Sequence, residues 1–163
     1  MKIVFDIDNT LSNLRHRLHF IQPEEGEEAD WWEKDWNGFF AACVDDTPIP
    51  INVELCQELL WAGEGMGVDG CSPPSNTVEF WTGRNEDVRL ATEQWLTDYI
   101  GWSVDECVLK MRSKGDRRPD YILKMEFIDW NHPPDIIFED RSRVVKAYRE
   151  LGLTVFQVAE GDF

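Results

Sequence analysis

The chain has 163 residues, of which 42% are hydrophobic and 29% are charged, and its formal net charge at pH 7 is −16. This size and composition predict one globular domain with its own core, and no apolar run approaches the roughly 18 residues of a membrane span. The acidic charge argues against an extended nucleic-acid surface, because affinity for polynucleotides comes mainly from neutralised phosphates. The charge does not argue against a site that binds a single phosphate, because such a site needs only a few local cations and a metal.

Cysteine usage and the N-terminal residues predict free thiols and a cytoplasmic location. The four cysteines form no CxxC pair, so neither a zinc site nor a disulfide framework is indicated. The chain start lacks the basic residues and the long apolar region of a signal peptide, because Asp6 interrupts its apolar run. We therefore expect no association with a membrane.

The first predicted element is an apolar strand that runs into an acidic pair. The sequence reads Lys2-Ile-Val-Phe-Asp6-Ile-Asp8-Asn-Thr10-Leu11, and open α/β sheets place their ligand crevices at the C-terminal ends of such strands. Asp6 can act there as a nucleophile that forms an aspartyl-phosphate. Asp8 can protonate the leaving oxygen and later deprotonate the attacking water. Two carboxylates this close favour Mg²⁺.

The acidic pair could also be a solvated turn or part of a calcium loop. A solvated acidic turn is the plain alternative, since Asp and Asn are common in turns. A calcium-binding EF-hand counted from Asp6 needs Gly at its sixth position and Glu at its twelfth. Those positions hold Leu11 and Arg17, which excludes an EF-hand.

Residues 14–46 are predicted to form a largely helical segment after the first strand. Leu14, Leu18 and Ile21 are spaced for one helix face, and the acidic block 24–30 is typical of an exposed loop. The aromatic residues that follow are Trp31, Trp32, Trp36, Phe39 and Phe40.

The rest of the chain alternates predicted helices and strands. Strands are predicted over 77–81, 107–109, 135–138 and 153–158, and helices over 50–62, from Asn85 to Tyr99, around 120–130, and from Val144 to Leu151. In the helix over 50–62 the predicted buried residues are Ile51, Leu55, Leu59 and Leu60. A Gly-, Ser- and Pro-rich loop is predicted over 65–76. The alternation implies a central parallel sheet of about five strands with helices on both faces.

Residues with phosphate chemistry follow each of the next strands. Thr82-Gly83-Arg84 offers a hydroxyl, a close backbone approach and a bidentate guanidinium. The basic cluster 110–118 precedes Lys124, a point charge predicted at the start of a helix. Glu139-Asp140-Arg141 supplies a second acidic pair for a Mg²⁺ shell. Thr82-Gly83-Arg84 alone is also typical of a capping turn, and the basic cluster alone of a solvated loop. The groups together favour a phosphoryl-transfer site.

This ordered set of motifs resembles the haloacid dehalogenase superfamily of phosphotransferases. Within it, the chain is most similar to the 3′-phosphatase half of phage polynucleotide kinase-phosphatases and to their stand-alone relatives. The block 112–124 and the tail 156–163 are the specific parts of the likeness, because the first motif is shared by the whole superfamily. The resemblance implies a Rossmann-like α/β fold over residues 1–163, with residues 14–46 as a small helical cap insertion.

The resemblance also implies a role for each matching residue. Asp6 would be the nucleophile and Asp8 the acid/base, while Thr82 and Lys124 would bind the phosphoryl group. The implied Mg²⁺ ligands are Asp6, the backbone carbonyl of Asp8, Asp140 and, if it reaches, Glu139. The implied substrate contacts are Thr10, Gly83, Arg84 and Arg112, joined by Arg15 and Arg17 from the cap. The chain departs from the family pattern in two places, with Asn9 where Gly is commonest and Glu139 where Asp is frequent.

The cap segment leaves two interpretations open. Its arginines could face the substrate and its tryptophans could stack a base. Alternatively, the segment presents an ordinary helix surface, with Trp32, Phe39 and Phe40 in the core. None of the three histidines is a candidate for catalysis.

The implied activity is that of a Mg²⁺-dependent phosphomonoesterase with an aspartyl-phosphate intermediate, removing 3′-phosphate from nucleic-acid ends or nucleotides in a phage or bacterial cytoplasm. A phosphatase of free 5′-nucleotides or of another small ester is the alternative among enzymes. The non-enzyme alternative is a receiver-like phospho-acceptor domain, which carries its acids after the first and third strands rather than the first and fourth. No GxxxxGK[ST] motif occurs, so no kinase activity is expected. The oligomeric state is left open.

Overall fold

The structure is a computed structural model that describes residues 1–22, 34–62, 76–101, 103 and 107–161. The strands are β1 (Lys2–Phe5), β2 (Ser12–Asn13), β3 (Thr47–Pro48), β4 (Thr77–Asn85), β5 (Val108–Arg112), β6 (Ile136–Glu139) and β7 (Val155–Gln157). The α-helices are α1 (Trp36–Ala41), α2 (Pro50–Trp61), α3 (Arg89–Ile100), α4 (Asp120–Glu126) and α5 (Ser142–Glu150). No helix in these ranges is long and apolar enough to cross a membrane.

Five strands form one parallel sheet in the order β5-β4-β1-β6-β7. The N-terminal strand lies at its centre, where Phe5 is in register with Phe80 on one side and Phe138 on the other. Central strands of a covered parallel sheet are buried on both faces, and the residues Ile3, Val4 and Phe5 are almost fully buried. The predicted α/β fold with a five-stranded parallel sheet is confirmed.

Each face of the sheet has its own hydrophobic core, because neighbouring residues of a strand point to opposite faces. On one face, Ile3 and Phe5 pack with side chains of α2 and α3. On the other face, Val4 and Trp81 pack with α5 through Val144 and its neighbours. Each fully buried apolar side chain contributes about 1.5–3 kcal/mol, so the two cores fix how the strands and helices stack.

The helix α2 buries a different face from the predicted one. Ile51 and Leu55 are 70% and 41% exposed, whereas Val53 and Cys56 are buried. Both sets repeat with a helical period, so spacing alone does not distinguish them. Packing against β4 and α3 decides which set faces the core. Leu59 and Leu60 are partly buried against that core, as predicted.

Several strand and helix ends differ from the predicted ones. β4 continues to Asn85, and its register with β5 shifts between Trp81 and Asn85. β5 starts one residue later than predicted and ends at Arg112, while α4 ends at Glu126. The longer β4 and β5 carry Gly83 and Arg112 to the end of the sheet.

The described part of the cap segment consists of short helical turns. A 3₁₀ turn over Arg15–Phe20 is followed after the gap by α1, whose N-cap Asp35 accepts a hydrogen bond from the Gly38 N–H at 2.8 Å. A second 3₁₀ turn leads to β3, which pairs antiparallel with β2 and so joins the two ends of the segment. The acidic block 24–30, Trp31, Trp32 and the predicted loop 65–76 except Asn76 lie outside the described residues. The assignment of this segment as a cap stays a prediction.

Candidate active site

The carboxyl ends of the central strands meet at one edge of the sheet, as parallel pairing requires. Asp6 follows β1, Arg112 ends β5 and Asp140 follows β6. A cleft of about 740 Å³ opens at this edge, and Asp6, Asp8, Arg112 and Lys124 are among the residues that line it. Residues of α1 and of the loop after β5 line other parts of it.

Lys124 lies between two buried carboxylates in this cleft. Its Nζ donates hydrogen bonds to Asp6 Oδ1 at 2.6 Å and to Glu139 Oε2 at 2.7 Å. Burial alone would lower the pKa of Lys124, but Asp6 and Glu139 outweigh it and hold this pKa well above its ordinary value. Lys124 is therefore a fixed cation next to the predicted nucleophile. It belongs to the second turn of α4, which begins at Asp120, rather than to the helix start.

The acidic cluster beside Lys124 fits a divalent cation. Asp6, Glu139 and Asp140 each offer an oxygen, and these oxygens lie within 4.8 Å of one another. Asp140 Oδ1 is buried and accepts no hydrogen bond from the described residues. Burial, and then the charge of a neighbouring carboxylate, raises the pKa of Asp6 to about 7 and that of Asp140 to about 6. This crowding of buried carboxylates suits Mg²⁺, whose usual ligands are carboxylate oxygens, waters and phosphate.

Asn9 holds the other oxygen of Asp140, and the C-terminal tail passes close to it. Asn9 Nδ2 donates to Asp140 Oδ2 at 2.9 Å, and Asn9 has a φ of 59°, in the left-handed region that Asn tolerates. The departure from Gly at this position therefore adds a contact that Gly lacks. On the tail side, a Cβ on Gly161 would lie 2.0 Å from Asp140 Oδ2, so only Gly allows the tail to pass this close.

Asp8 is held through one oxygen by two buried arginines. Asp8 Oδ1 accepts hydrogen bonds from Arg17 Nη2 at 2.6 Å and from Arg84 Nε and Nη2 at 2.9 and 2.7 Å. Burial alone would raise the pKa of Asp8, but the two guanidinium groups outweigh it and hold this pKa well below its usual range. Within the described residues no donor is bonded to Oδ2, and Asp8 lines the cleft. Asp8 is thus held ionised in the cleft, with one oxygen that accepts no hydrogen bond from the described residues.

Asp46 is a second carboxylate that binds both of these arginines. Its carboxylate accepts from Arg17 Nη2 and Arg84 Nη2 at 2.7 Å each and from Ser12 Oγ at 2.9 Å. The Asp46 side chain is fully buried. We name Asp8, Arg17, Asp46 and Arg84 the arginine network. Two guanidinium groups face two carboxylates in it, so the buried charges balance.

Arg17 and Arg84 are predicted to contact the substrate, but the structure places both away from the cleft lining. Both residues are 0% exposed, and neither is among the residues that line the cleft. Arg15 is exposed and lines a second pocket together with Asn9 and Glu160. Of the four predicted arginines, Arg112 is the one that the structure places in the cleft.

Arg112 and Arg141 both donate to the carboxylate of Asp120. Arg112 also donates through Nε to the Gly83 carbonyl at 3.0 Å. Burial alone would raise the pKa of Asp120, but neighbouring cations, Arg141 first, outweigh it and lower this pKa. A Cβ on Gly83 would lie 2.8 Å from Asp120 Oδ1, so Gly at this position lets β4 approach α4. The cluster fixes two guanidinium groups in the lining of the cleft.

The two predicted threonines are buried beneath the cleft rather than in its lining. Thr82 Oγ1 accepts a hydrogen bond from the Arg84 N–H at 3.2 Å, within the part of β4 where its register with β5 shifts. Thr10 Oγ1 is buried and has no hydrogen-bond partner among the described residues. Gly83, between Thr82 and Arg84, does line the cleft.

Asp46 and Asp120 are site residues that the sequence motifs did not single out. Asp120 lies four residues before Lys124, so helical spacing alone places the two on one side of α4, and this spacing is a signal that could have found it. Asp46 bonds Arg17 and Arg84, which are 29 and 38 residues away. No local pattern links residues at such separations.

A match to a known family shows where the chain belongs. Residues 68–163, more than half of the chain, match the model of the polynucleotide kinase PNKP phosphatase domain. The chain belongs to this family. The predicted resemblance to haloacid dehalogenase phosphatases of the polynucleotide kinase-phosphatase type is thereby confirmed, and phosphatase is the activity of the PNKP phosphatase domain.

Solved structures share the fold over nearly the whole chain. Two structures of the Pnkp1/Rnl/Hen1 complex, one titled an RNA repair complex, contain chains that are 24% and 26% identical, with TM-scores of 0.66 and 0.67. Each covers 99% of this chain, which spans only 43% and 47% of theirs. A haloacid dehalogenase-like hydrolase from Streptococcus pneumoniae is 13% identical with a TM-score of 0.60, covering 96% of this chain and 83% of its own.

Proposed function

We propose that this PNKP-type phosphatase domain is a Mg²⁺-dependent phosphomonoesterase that removes 3′-phosphate from a nucleotide or a nucleic-acid end through an aspartyl-phosphate on Asp6. The observation that carries the proposal is the contact of Lys124 with Asp6 at 2.6 Å, beside the unpaired buried oxygen of Asp140. The proposed nucleophile and a fixed cation thus line the cleft, and the oxygens of Glu139 and Asp140 that would join Asp6 in holding a cation lie within 4.8 Å of its carboxylate.

The proposed reaction has two displacements at phosphorus. First, an Asp6 oxygen forms a bond to phosphorus while the ester bond breaks, and Asp8 gives a proton to the leaving alkoxide. Then Asp8 takes a proton from water, whose oxygen displaces Asp6 and releases inorganic phosphate. The lowered pKa of Asp8 keeps its carboxylate ionised, which is the form that the second step needs. For the first step, the arriving phosphate anion raises this pKa, because like charge disfavours the ionised carboxylate.

Lys124 and Mg²⁺ would share the task of neutralising the phosphoryl oxygens. The residues that would hold the metal are Asp6, Asp140 and the backbone carbonyl of Asp8. The metal would supply charge stabilisation in the transition state. Glu139 accepts a hydrogen bond from Lys124 Nζ at 2.7 Å, so we assign it mainly to holding that lysine rather than to the metal.

The choice of a 3′-phosphate rests on family membership and on the nature of the related chains. The family is named for a polynucleotide kinase, and two chains of the same fold occur in Pnkp1/Rnl/Hen1 complexes. The net charge of −16 limits how much polynucleotide backbone the surface can hold. We therefore expect recognition of a terminal phosphate with one or two nucleotides.

Phosphate release tests the proposal. The substrates are a 3′-mononucleotide, a 5′-mononucleotide and a 3′-phosphorylated oligonucleotide, each with Mg²⁺ and with EDTA. We expect both 3′-phosphates to be hydrolysed at similar kcat/KM with a shallow salt dependence, and Asp6→Asn to abolish release. Wild-type turnover in Asp6→Asn or in EDTA would refute the mechanism. Preference for the 5′-mononucleotide would leave the chemistry standing and refute the substrate.

A further inference from the structure

The cleft is much larger than a phosphate group. Its volume of about 740 Å³ lies in the range of roughly 300–1,000 Å³ that is typical of sites for drug-sized ligands. Asp6 and Lys124 occupy one part of the lining, and the first helix of the cap segment contributes Trp36, Phe39 and Phe40 to another. The site therefore has room for most of a nucleoside beyond the phosphate.

The three aromatic rings of α1 pack on one another in a fixed arrangement. Trp36 and Phe40 have ring centroids 6.0 Å apart and are inclined by 30°, while Phe39 meets both rings edge-on. Phe39 is buried, and the Arg17 guanidinium lies 4.3 Å from its ring centroid. Phe39 thus anchors α1 to the arginine network. Trp36 and Phe40 are only half-buried, and both line the cleft.

Another wall of the same cleft carries positive charge. The loop after β5 contributes Lys114, Arg117 and Arg118 to the lining. Lys114 pairs with Asp87, and Arg118 pairs with Asp116 and Glu126. Arg117 is exposed and makes no ion pair with any described residue. In a protein of net charge −16, an unpaired arginine in the cleft favours an anionic ligand group.

We propose that Trp36 and Phe40 form a stacking surface for the terminal base of the substrate, and that Arg117 contacts the next phosphate along the strand. This inference rests on the proposed function and adds the residues that hold the nucleoside. Stacking on an aromatic ring is worth about 1–3 kcal/mol per base and tolerates every base, because each has a π face. The site should therefore distinguish nucleotides from simple phosphate esters without selecting among bases.

Two substrates and matched variants test the stacking surface. One substrate is a 3′-mononucleotide and the other is 2-glycerophosphate, which has no base. Trp36→Leu keeps an apolar side chain, although a smaller one, and removes the π face, so KM for the nucleotide should rise about 5- to 150-fold. Values of kcat for both substrates and KM for 2-glycerophosphate should stay within about twofold. Trp130→Leu is the control, since Trp130 is exposed and lies outside the lining of the cleft.

A second measurement needs no variant. A free nucleoside should inhibit the hydrolysis of 2-glycerophosphate competitively in the wild-type enzyme, and ribose at the same concentration should not. Arg117→Ala should raise KM for a 3′-phosphorylated dinucleotide more than for the mononucleotide.

The outcomes separate the stacking surface from the activity itself. Absence of wild-type turnover on every phosphate ester would refute the proposed function, and with it this inference. Turnover on the mononucleotide with equal effects of Trp36→Leu on both substrates, or equal inhibition by nucleoside and ribose, would refute the stacking surface alone. Thermal unfolding of each variant shows whether a loss comes from misfolding, in which case the nucleoside inhibition of the wild-type protein decides.

Discussion

Removing the carboxylate of Asp46 should destabilise the protein far more than removing that of its neighbour Asp45. Asp46 accepts two hydrogen bonds from Arg17 at 2.8 and 2.7 Å and one from Arg84 at 2.7 Å, with no exposure to solvent. In Asp46→Ala, two buried guanidinium groups would share the single carboxylate of Asp8. Breaking a buried ion pair by deleting one partner typically costs about 3–5 kcal/mol. This is a large part of the roughly 5–15 kcal/mol that holds a domain folded.

Urea unfolding measures this loss directly. With a slope of about 2 kcal/mol per molar urea, the midpoint of Asp46→Ala should fall by about 1.5–2.5 M. Asp45→Ala should stay within about 0.5 kcal/mol of the wild-type protein, because Asp45 is exposed. Activity should fall as well, by about 100-fold under conditions where the variant is folded, since an Asp8 displaced by about 1 Å is misplaced for proton transfer.

An Asp46→Ala protein with wild-type stability would show that Asp46 is not needed to balance the buried charge of the two arginines. Wild-type kcat in a folded Asp46→Ala protein would show that the orientation of Asp8 does not depend on the arginine network. Asp46→Asn keeps the side-chain shape and one acceptor oxygen, so its losses should lie between those of wild type and Asp46→Ala.

Three further predictions concern the acidic cluster. Burial raises the pKa of Asp6 from 3.8 to about 7, so the metal-free protein should lose stability as pH rises from about 4 through 7, and Asp6→Asn should reduce that loss. Mg²⁺ should therefore raise the unfolding temperature more at pH 8 than at pH 5. Gly161→Ala should weaken Mg²⁺ binding measured by calorimetry, because the added Cβ would displace Asp140, whereas Gly152→Ala should leave Mg²⁺ affinity unchanged. Asp140→Ala should abolish both Mg²⁺ binding and turnover, while Glu139→Gln should lower kcat with little change in Mg²⁺ affinity.

Each of these predictions has an opposing result. An identical pH profile of unfolding in the Asp6→Asn protein would contradict the raised pKa of Asp6. Unchanged Mg²⁺ affinity in Gly161→Ala would show that the tail does not position Asp140. If Glu139→Gln lost Mg²⁺ binding as completely as Asp140→Ala, Glu139 would be a metal ligand and not chiefly the partner of Lys124.

Much of the site follows from the sequence because parallel topology is strongly constrained. Once strands and helices alternate, the carboxyl ends of neighbouring strands must lie together. Asp6 after β1 and Asp140 after β6 are therefore brought to one edge without any knowledge of side-chain packing. The motif order predicts Lys124 there too, and the structure places it between Asp6 and Glu139. Local residue types and strand order together therefore determine that Asp6, Lys124 and Asp140 lie at this edge of the sheet.

Tertiary packing decided the rest, because helical spacing leaves several faces equivalent and because distant charges carry no local signal. The buried face of α2 uses Val53 and Cys56 instead of Ile51 and Leu55, although both pairs fit a helical repeat. Arg17 and Arg84 carry the same charge as Arg112, so residue type does not distinguish the three. What distinguishes Arg17 and Arg84 is their burial against Asp8 and against Asp46, at the far end of the cap segment. A buried guanidinium is stable only where acids surround it, and those acids come together only in the folded chain.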